Sequence, residues 1–299
     1  MMDTVRDRVD EAARLLADTS DTPRADAEFL MAHLLGVPRS RLALHFGEVV
    51  DVPAYRVFVE RRLACEPVPY ILGEWEFFSL AMKTRTPVLV PRPETEHLVE
   101  VIVEWAREHA RTHTDDRGRA RPTADGRAPK VLDLCTGSGC VAIAIAKDLP
   151  GATIVATDIS DDAIALAVEN IAFHHLKSRI QIRRGDLFDA LAPKDGPFDA
   201  ICANPPYVEA GAFPGLSPSI RLYEDPRALV AGNDGLDVVR RIVAESPDRL
   251  VPGGLLAIEI GEAQYGAVSK LMERAGYRNI GVRNDLAGIQ RIAYARRPS

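Results

Sequence analysis

The run Asn204-Pro205-Pro206-Tyr207 offers acceptors where a backbone would ordinarily offer donors. Two consecutive prolines remove two N–H groups and fix the chain, leaving carbonyl oxygens exposed. The Asn204 side-chain carbonyl and the Pro205 backbone carbonyl can together accept both hydrogens of an NH2 group, and Tyr207 supplies a flat wall against a planar group. Such a cradle suits alkylation of an amide or amine nitrogen. An amide nitrogen is a poor nucleophile because its lone pair is delocalised into the carbonyl. Fixed acceptors orient it and favour the charge that develops as it attacks an electrophilic methyl. Its proton can leave after transfer, so no strong base is required, and the motif contains no His or Cys. The plain alternative is a rigid proline turn.

A second group of residues reads as a nucleoside site. Asp133-Leu134-Cys135-Thr136-Gly137-Ser138-Gly139 is a strand, a glycine turn and a helix start, where backbone can approach a ligand and N–H groups are unpaired. Gly137, Gly139 and Ala142 also satisfy G-x-G-x-x-G/A, so this loop alone fits a dinucleotide or a tight turn without ligand. Asp158, at the end of the next strand, is placed to accept both hydroxyls of a ribose; Ser160 is the better helix cap there. Asp186, after the third strand, can accept from an exocyclic adenine amine with Leu187 packed nearby, the alternative being a turn-stabilising Asp.

These residues need elements to bring them to one edge. Ala27, Leu30, Met31, Leu34 and Leu35 recur at helical spacing between Pro23 and Gly36, Val37 to Ser40 starts a short helix, and Ala54 to Ala64 forms another. Residues 1–68 therefore read as a small helical domain. Residues 69–92 read as a hairpin linker, from Trp75, Phe77 and Ala81 through Val88 and Val90. Residues 93–299 form the larger domain, opening on a helix from Pro93 to Ala110. Residues 111–129 have no large apolar side chain and read as a flexible loop. From Val131 strand and helix alternate: strands at 131–134, 153–156, 179–183, 198–203, 255–259, 278–283 and 290–295, with helices at 141–147, 161–173, 236–250 and 265–275. The expectation is an α/β fold with a seven-stranded, mostly parallel sheet covered by helices, whose ligands bind at the carboxyl ends of the strands.

At 299 residues the chain has room for two cores, and no apolar run approaches the roughly 20 residues that span a bilayer. The polar start, Met1 to Asp10, lacks an apolar core and is not expected to act as a signal peptide. Net charge is −6, against the basic face that gripping duplex phosphates demands. Cys65, Cys135, Cys140 and Cys202 lie in apolar stretches without metal spacing, so buried free thiols, no metal and a reducing cytoplasm are expected.

In combination these residues resemble the class I, Rossmann-like methyltransferase fold, and the proline motif resembles those of the amino-methyltransferases of adenine, cytosine and glutamine. "PYILGEWEFFSLAMKTRTPVLVPRPETEHLVE", "DLCTGSGCVAIAIA", "NPPYVE", "YEDPRALVAGNDGLDVVRRI" and "NDLAGIQRIAYAR", with "ADAEFLMAHLLG" near the start, are similar to the release factor glutamine methyltransferases, or HemK family, over about residues 5–298. Only the stretch at 111–129 lacks a counterpart. The resemblance implies S-adenosyl-L-methionine as methyl donor, with S-adenosyl-L-homocysteine as product. It implies a substrate: the Gly-Gly-Gln glutamine of class I peptide chain release factors, methylated at its side-chain nitrogen. Cys135, Thr136, Gly137, Ser138, Gly139, Asp158, Asp186, Leu187 and Asn204 would hold the cofactor. Asn204, Pro205, Pro206 and Tyr207 would hold the glutamine amide, with Arg92, Glu94 and Thr95 beside them. The helical domain would dock the protein partner, and a cytoplasmic monomer without nucleic-acid substrate is expected. The rivals are the sibling acting on a large-subunit ribosomal protein, a DNA adenine methyltransferase, a non-enzymatic cofactor sensor and an NAD-dependent dehydrogenase. Pro91-Arg92-Pro93-Glu94-Thr95-Glu96 favours the release factor over the ribosomal protein.

Overall fold

A computed structural model describes residues 3–51, 53–112 and 128–299. Five short helical elements come first: α1 (Val5–Leu15), α2 (Pro23–Leu35), a 3-10 turn at Arg39–His45, α3 (Pro53–Leu63) and α4 (Val68–Leu72). Pro23 at the first position and Gly36 in left-handed geometry (φ 64°) bound α2 as its sequence predicts. A capping box, Thr4 with Asp7, starts α1. The apolar faces of these helices close on one cluster containing Val9, Leu30, Met31, Leu42, Val59 and Ile71.

The hairpin is shorter than its sequence suggests. It consists of β1 (Glu74–Phe77) and β2 (Leu80–Lys83), and Val88 and Val90 lie beyond it in an irregular linker. Pro87 and Pro91 account for the difference, because neither can donate to a ladder. A turn at Pro93–Thr95 leads into α5 (Glu96–Thr112). The loop expected at 111–129 falls mostly on residues 113–127, outside the described residues; residues 111 and 112 still belong to α5.

The remainder alternates as expected: β3 (Lys130–Leu134), α6 (Cys140–Asp148), β4 (Thr153–Asp158), α7 (Asp161–Phe173), β5 (Ile180–Arg184), β6 (Phe198–Ala203), α8 (Pro218–Tyr223), α9 (Asp237–Glu245), β7 (Leu250–Glu259), α10 (Tyr265–Arg274), β8 (Arg278–Asn284) and β9 (Gln290–Arg296). The helix expected at 236–250 stops at Glu245, where Pro247 follows, and the chain is already a strand at Leu250. The seven strands are ordered β5-β4-β3-β6-β7-β9-β8, parallel from β5 to β7, with β8 and β9 antiparallel at the edge. Successive residues of a strand face opposite sides. Val131 and Cys202 accordingly enter a core with α5 and α6, and Leu132 and Ile201 enter a second core with α9 and α10. β3 is the point from which the chain first winds toward β4 and later returns to β6, so their carboxyl ends diverge and leave a crevice. Among the described residues no helix is long and apolar enough to cross a membrane.

Candidate active site

The carboxyl ends of β3, β4, β5 and β6 surround a cavity of about 360 Å³, within the range of sites that enclose small molecules. Cys135, Gly137, Asp158, Asp186, Leu187, Asn204 and Pro206 line it. The linker after the hairpin supplies a wall with Val88, whose carbonyl accepts from the Tyr70 hydroxyl at 2.6 Å. Thr136, Ser138 and Gly139 shape the loop from behind. Thr136 and Ser138 are buried, and Gly139 (φ 83°) opens α6 where an added Cβ would meet that of Ala167 at 3.2 Å. Gly137 (φ 55°) has nothing within 4 Å of such a Cβ, so its bare backbone faces open space on the cavity side. Cys135 and Leu187 are also left-handed, with φ of 57° and 48°; backbone strain of about 1–3 kcal/mol per residue is thus held at the cavity.

Asp158 binds the loop directly. One carboxylate oxygen accepts from Gly137 N–H at 2.9 Å and the other from Ser160 N–H at 2.9 Å. Burial raises its pKa, against these backbone donors. A carboxylate has about four acceptor positions, so the backbone donors do not exhaust it and room is left for a ligand hydroxyl. Ser160 caps α7 through Ala163 N–H, as its sequence suggests. Asp186 takes both oxygens to Arg241 Nη1, at 3.1 and 2.9 Å. Both partners are partly exposed, so the pair contributes little and can yield to a ligand amine. Thr157 Oγ1 is buried beside the cavity with no hydrogen-bond partner among the described residues.

Under the loop, Asp133 is buried and holds the Thr136 hydroxyl at 2.5 Å. Burial pushes its carboxyl up from 3.8 to about 7, with Thr136 and Cys202 opposing the rise. The native state therefore keeps a proton that the unfolded chain releases between these two values. Stability from this group is complete below about pH 4 and is lost as pH rises through 7. Thermal melts should show a midpoint falling from pH 5 to pH 8, and Asp133→Asn should flatten that slope by on the order of 5 °C. An unchanged slope in the variant would remove Asp133 as its source. The thiols differ from the expectation: Cys140 and Cys202 are buried, but Cys65 and Cys135 are half-buried, Cys135 because it lines the cavity.

Asn204 leaves β6 at the cavity rim and donates through Nδ2 to Thr95 Oγ1 at 3.0 Å. Pro205 is buried and Tyr207 half-buried, and neither lines the cavity itself. The Tyr207 hydroxyl donates to Glu259 Oε1 at 3.4 Å. Arg92 forks onto buried Glu224, at 2.6 and 2.8 Å, next to the cavity-lining Asp225. Glu94 stands close enough to Glu259 to raise its pKa. Arg92 and Thr95 thus brace the rim from behind. Glu224 and Arg241 lie within the quoted run Tyr223–Ile242 but nothing in it reveals their partners; Glu259 lies outside every quoted run, and its one signal is a lone Glu in the apolar run Leu255–Ile260.

Residues 8–73 match the family model for the PrmC N-terminal domain, and residues 122–215 match the methyltransferase small domain. The release factor glutamine methyltransferase of Rhodopirellula baltica is 39% identical, covering 91% of this chain and 89% of its own length. That of Cereibacter sphaeroides is 37% identical, covering 96% and 95%. A solved methyltransferase from Pyrococcus furiosus superposes with a TM-score of 0.51 at 14% identity, over 82% of this chain and 98% of that one, a likeness of fold alone.

Proposed function

The chain belongs to the release factor glutamine methyltransferase family, and from that premise we propose that it methylates the Gly-Gly-Gln glutamine of class I peptide chain release factors, using S-adenosylmethionine. The observation that carries this reading is Asn204 at the cavity rim, its NH2 committed to Thr95 so that its Oδ1 remains to accept. With the Pro205 carbonyl it would take both hydrogens of the glutamine amide, with Tyr207 as the wall. S-adenosylmethionine supplies an electrophilic sulfonium methyl. The cavity suits that ligand by its donor set: open glycine backbone at Gly137, spare acceptors on Asp158, and carboxylates at Asp158, Asp186 and Asp225 that favour a cation. Asp158 would hold the ribose and Asp186 with Leu187 the adenine. The buried walls would exclude water while the amide attacks.

The helices before the hairpin would dock the release factor. Free cysteines are in keeping with a reducing cytoplasm, where a monomer would meet its substrate. The test is mass spectrometry of a purified release factor incubated with the protein and S-adenosylmethionine. One methyl on the Gly-Gly-Gln peptide is the expected result. An unmodified factor beside a methylated large-subunit ribosomal protein would move the substrate to the sibling reading.

A further inference from the structure

β7 ends on a carboxylate that the proposed chemistry does not call for. Glu259 is 2% exposed, in register beside the end of β6, since Ile258 pairs with Ala203 one residue before Asn204. Its Oε1 accepts from Tyr207, and its Oε2 has no hydrogen-bond partner among the described residues. The groups facing it come from every side: Thr95 and Glu94 from the turn before α5, Tyr207 from the loop after β6, Arg291 from β9 and Cys140 from α6. Burying a carboxyl with so few partners costs stability, and an apolar residue would pack there more cheaply.

We propose that Glu259 and Thr95 form a positioning relay that sets which way the Asn204 amide faces. The inference rests on the reading that Asn204 grips the substrate amide. A threonine hydroxyl has one proton to donate. Thr95 Oγ1 already accepts from Asn204 Nδ2, so its proton must go elsewhere, and the acceptor facing it is the Glu259 carboxyl. An ionised carboxylate only accepts, so the hydroxyl cannot reverse. Asn204 is then fixed with its nitrogen toward Thr95 and its oxygen left for the substrate. Without that acceptor, Thr95 can donate to Asn204 Oδ1 instead. The amide turns over and presents NH2 to NH2, which repels the substrate it should hold. The same carboxylate also takes the Tyr207 hydroxyl, so the wall and the acceptor share one anchor.

Protonation should have the same effect as removing the acceptor. Burial raises the Glu259 carboxyl to about 7; Thr95, Tyr207 and Arg291 oppose the rise and Glu94 adds to it. Below that pH the protonated group can donate to Thr95 and the relay reverses. The experiment measures single-turnover methylation of a release factor by the full chain with saturating S-adenosylmethionine, from pH 5.5 to 9. The wild type should show a rate rising through a midpoint near 7. Thr95→Val and Glu259→Leu should lose about 10- to 100-fold, the usual effect of removing an orienting partner, while Thr95→Ser keeps most of the rate. Glu259→Gln, which can accept or donate, should lie between them with no pH limb near 7. Cofactor affinity measured by calorimetry should stay within a few-fold throughout, separating orientation from misfolding. If Glu259→Leu fails to fold, the near-isosteric Thr95→Val and Glu259→Gln decide the question. A wild type that methylates beside Thr95→Val and Glu259→Gln of equal rate and unchanged pH profile overturns the relay alone. A wild type that leaves the glutamine unmodified overturns the functional reading, and the relay with it.

Discussion

Asn204→Ala should abolish most turnover on a release factor while leaving the fold intact. Alanine removes the side-chain carbonyl that would accept one amide hydrogen, and the Pro205 carbonyl cannot hold a planar NH2 alone. Deleting one preorganised polar partner from a water-poor site costs about 10²–10³-fold in turnover, so a loss of that order is expected. The substitution leaves the hydroxyl of Thr95 without its donor, but Thr95 still faces Glu259 and keeps a partner. Stability should therefore fall by no more than about 1–2 kcal/mol. The distinguishing measurement pairs two quantities, the single-turnover rate and the dissociation constant for S-adenosylmethionine. A rate that drops a hundredfold with cofactor affinity changed only a few-fold places Asn204 on the acceptor. Equal losses in both would instead make it a wall of the cavity, which it also lines.

The parts of this chain that could be read from sequence were those where one local rule dominates. β3, β4 and β6 are buried on both faces, so they appear as short apolar runs between turn residues, and β6 is buried at every position. Ser160 caps α7 and the expected span of that helix is the observed one. Sequence and structure part where two signals compete. Apolar periodicity carries on from α9 toward Leu250, but Pro247 removes a backbone donor and the chain re-enters the sheet. α1 has only a faint apolar pattern, because Val5, Val9 and Ala12 alone are buried on an otherwise charged helix, although Thr4 and Asp7 mark its start.

The site divides in the same way. Its cavity-facing members sit in short motifs at strand ends, where residue type and position together imply a chemistry. Its supports are paired across the chain, whether they sit in such motifs, as Thr95 and Tyr207 do, or outside them, as Glu259 does. Thr95 and Asn204 are 109 residues apart, Tyr207 and Glu259 are 52 apart, and Asp186 and Arg241 are 55 apart. Each pairing exists only because the fold brings distant elements together: the turn before α5 to the end of β6, the loop after β6 to the end of β7, and the end of β5 to α9. Pattern along the chain carries the ligand-facing half, and topology creates the bracing half.

Gly235→Ala should disable the protein from outside the cavity. Gly235 precedes α9 in left-handed geometry, with φ of 70°, and a Cβ there would lie 2.1 Å from the Tyr207 carbonyl oxygen and 2.8 Å from Gln264 Nε2. That carbonyl accepts from Gln264 Nε2 at 3.0 Å, and Gln264 is itself fixed by Gly261 N–H at 2.8 Å. From the other side, the N–H groups of Tyr207 and Val208 both donate to the Leu229 carbonyl. The backbone after the two prolines is therefore clamped on both sides, and the methyl group of alanine has no space unless the clamp opens. Left-handed geometry costs a non-glycine residue about 1–2 kcal/mol, and forced repacking adds about 1–3 kcal/mol, so a destabilisation of roughly 2–5 kcal/mol is expected. The catalytic loss should be larger than stability explains. A displacement of about 1 Å in a positioned group can cost 10²-fold in rate even where the protein stays folded. Gly276→Ala is the control: Gly276 has φ of 85° but nothing within 4 Å of the added Cβ, so it carries the strain without the collision. Urea unfolding and methylation rates, compared at a temperature where both variants are folded, separate the two effects. If Gly235→Ala retains the rate of Gly276→Ala, the clamp does not position the Asn204 to Tyr207 loop. If it falls a hundredfold below it, the loop's geometry is set by a glycine 28 residues beyond Tyr207, because no side chain fits against that carbonyl.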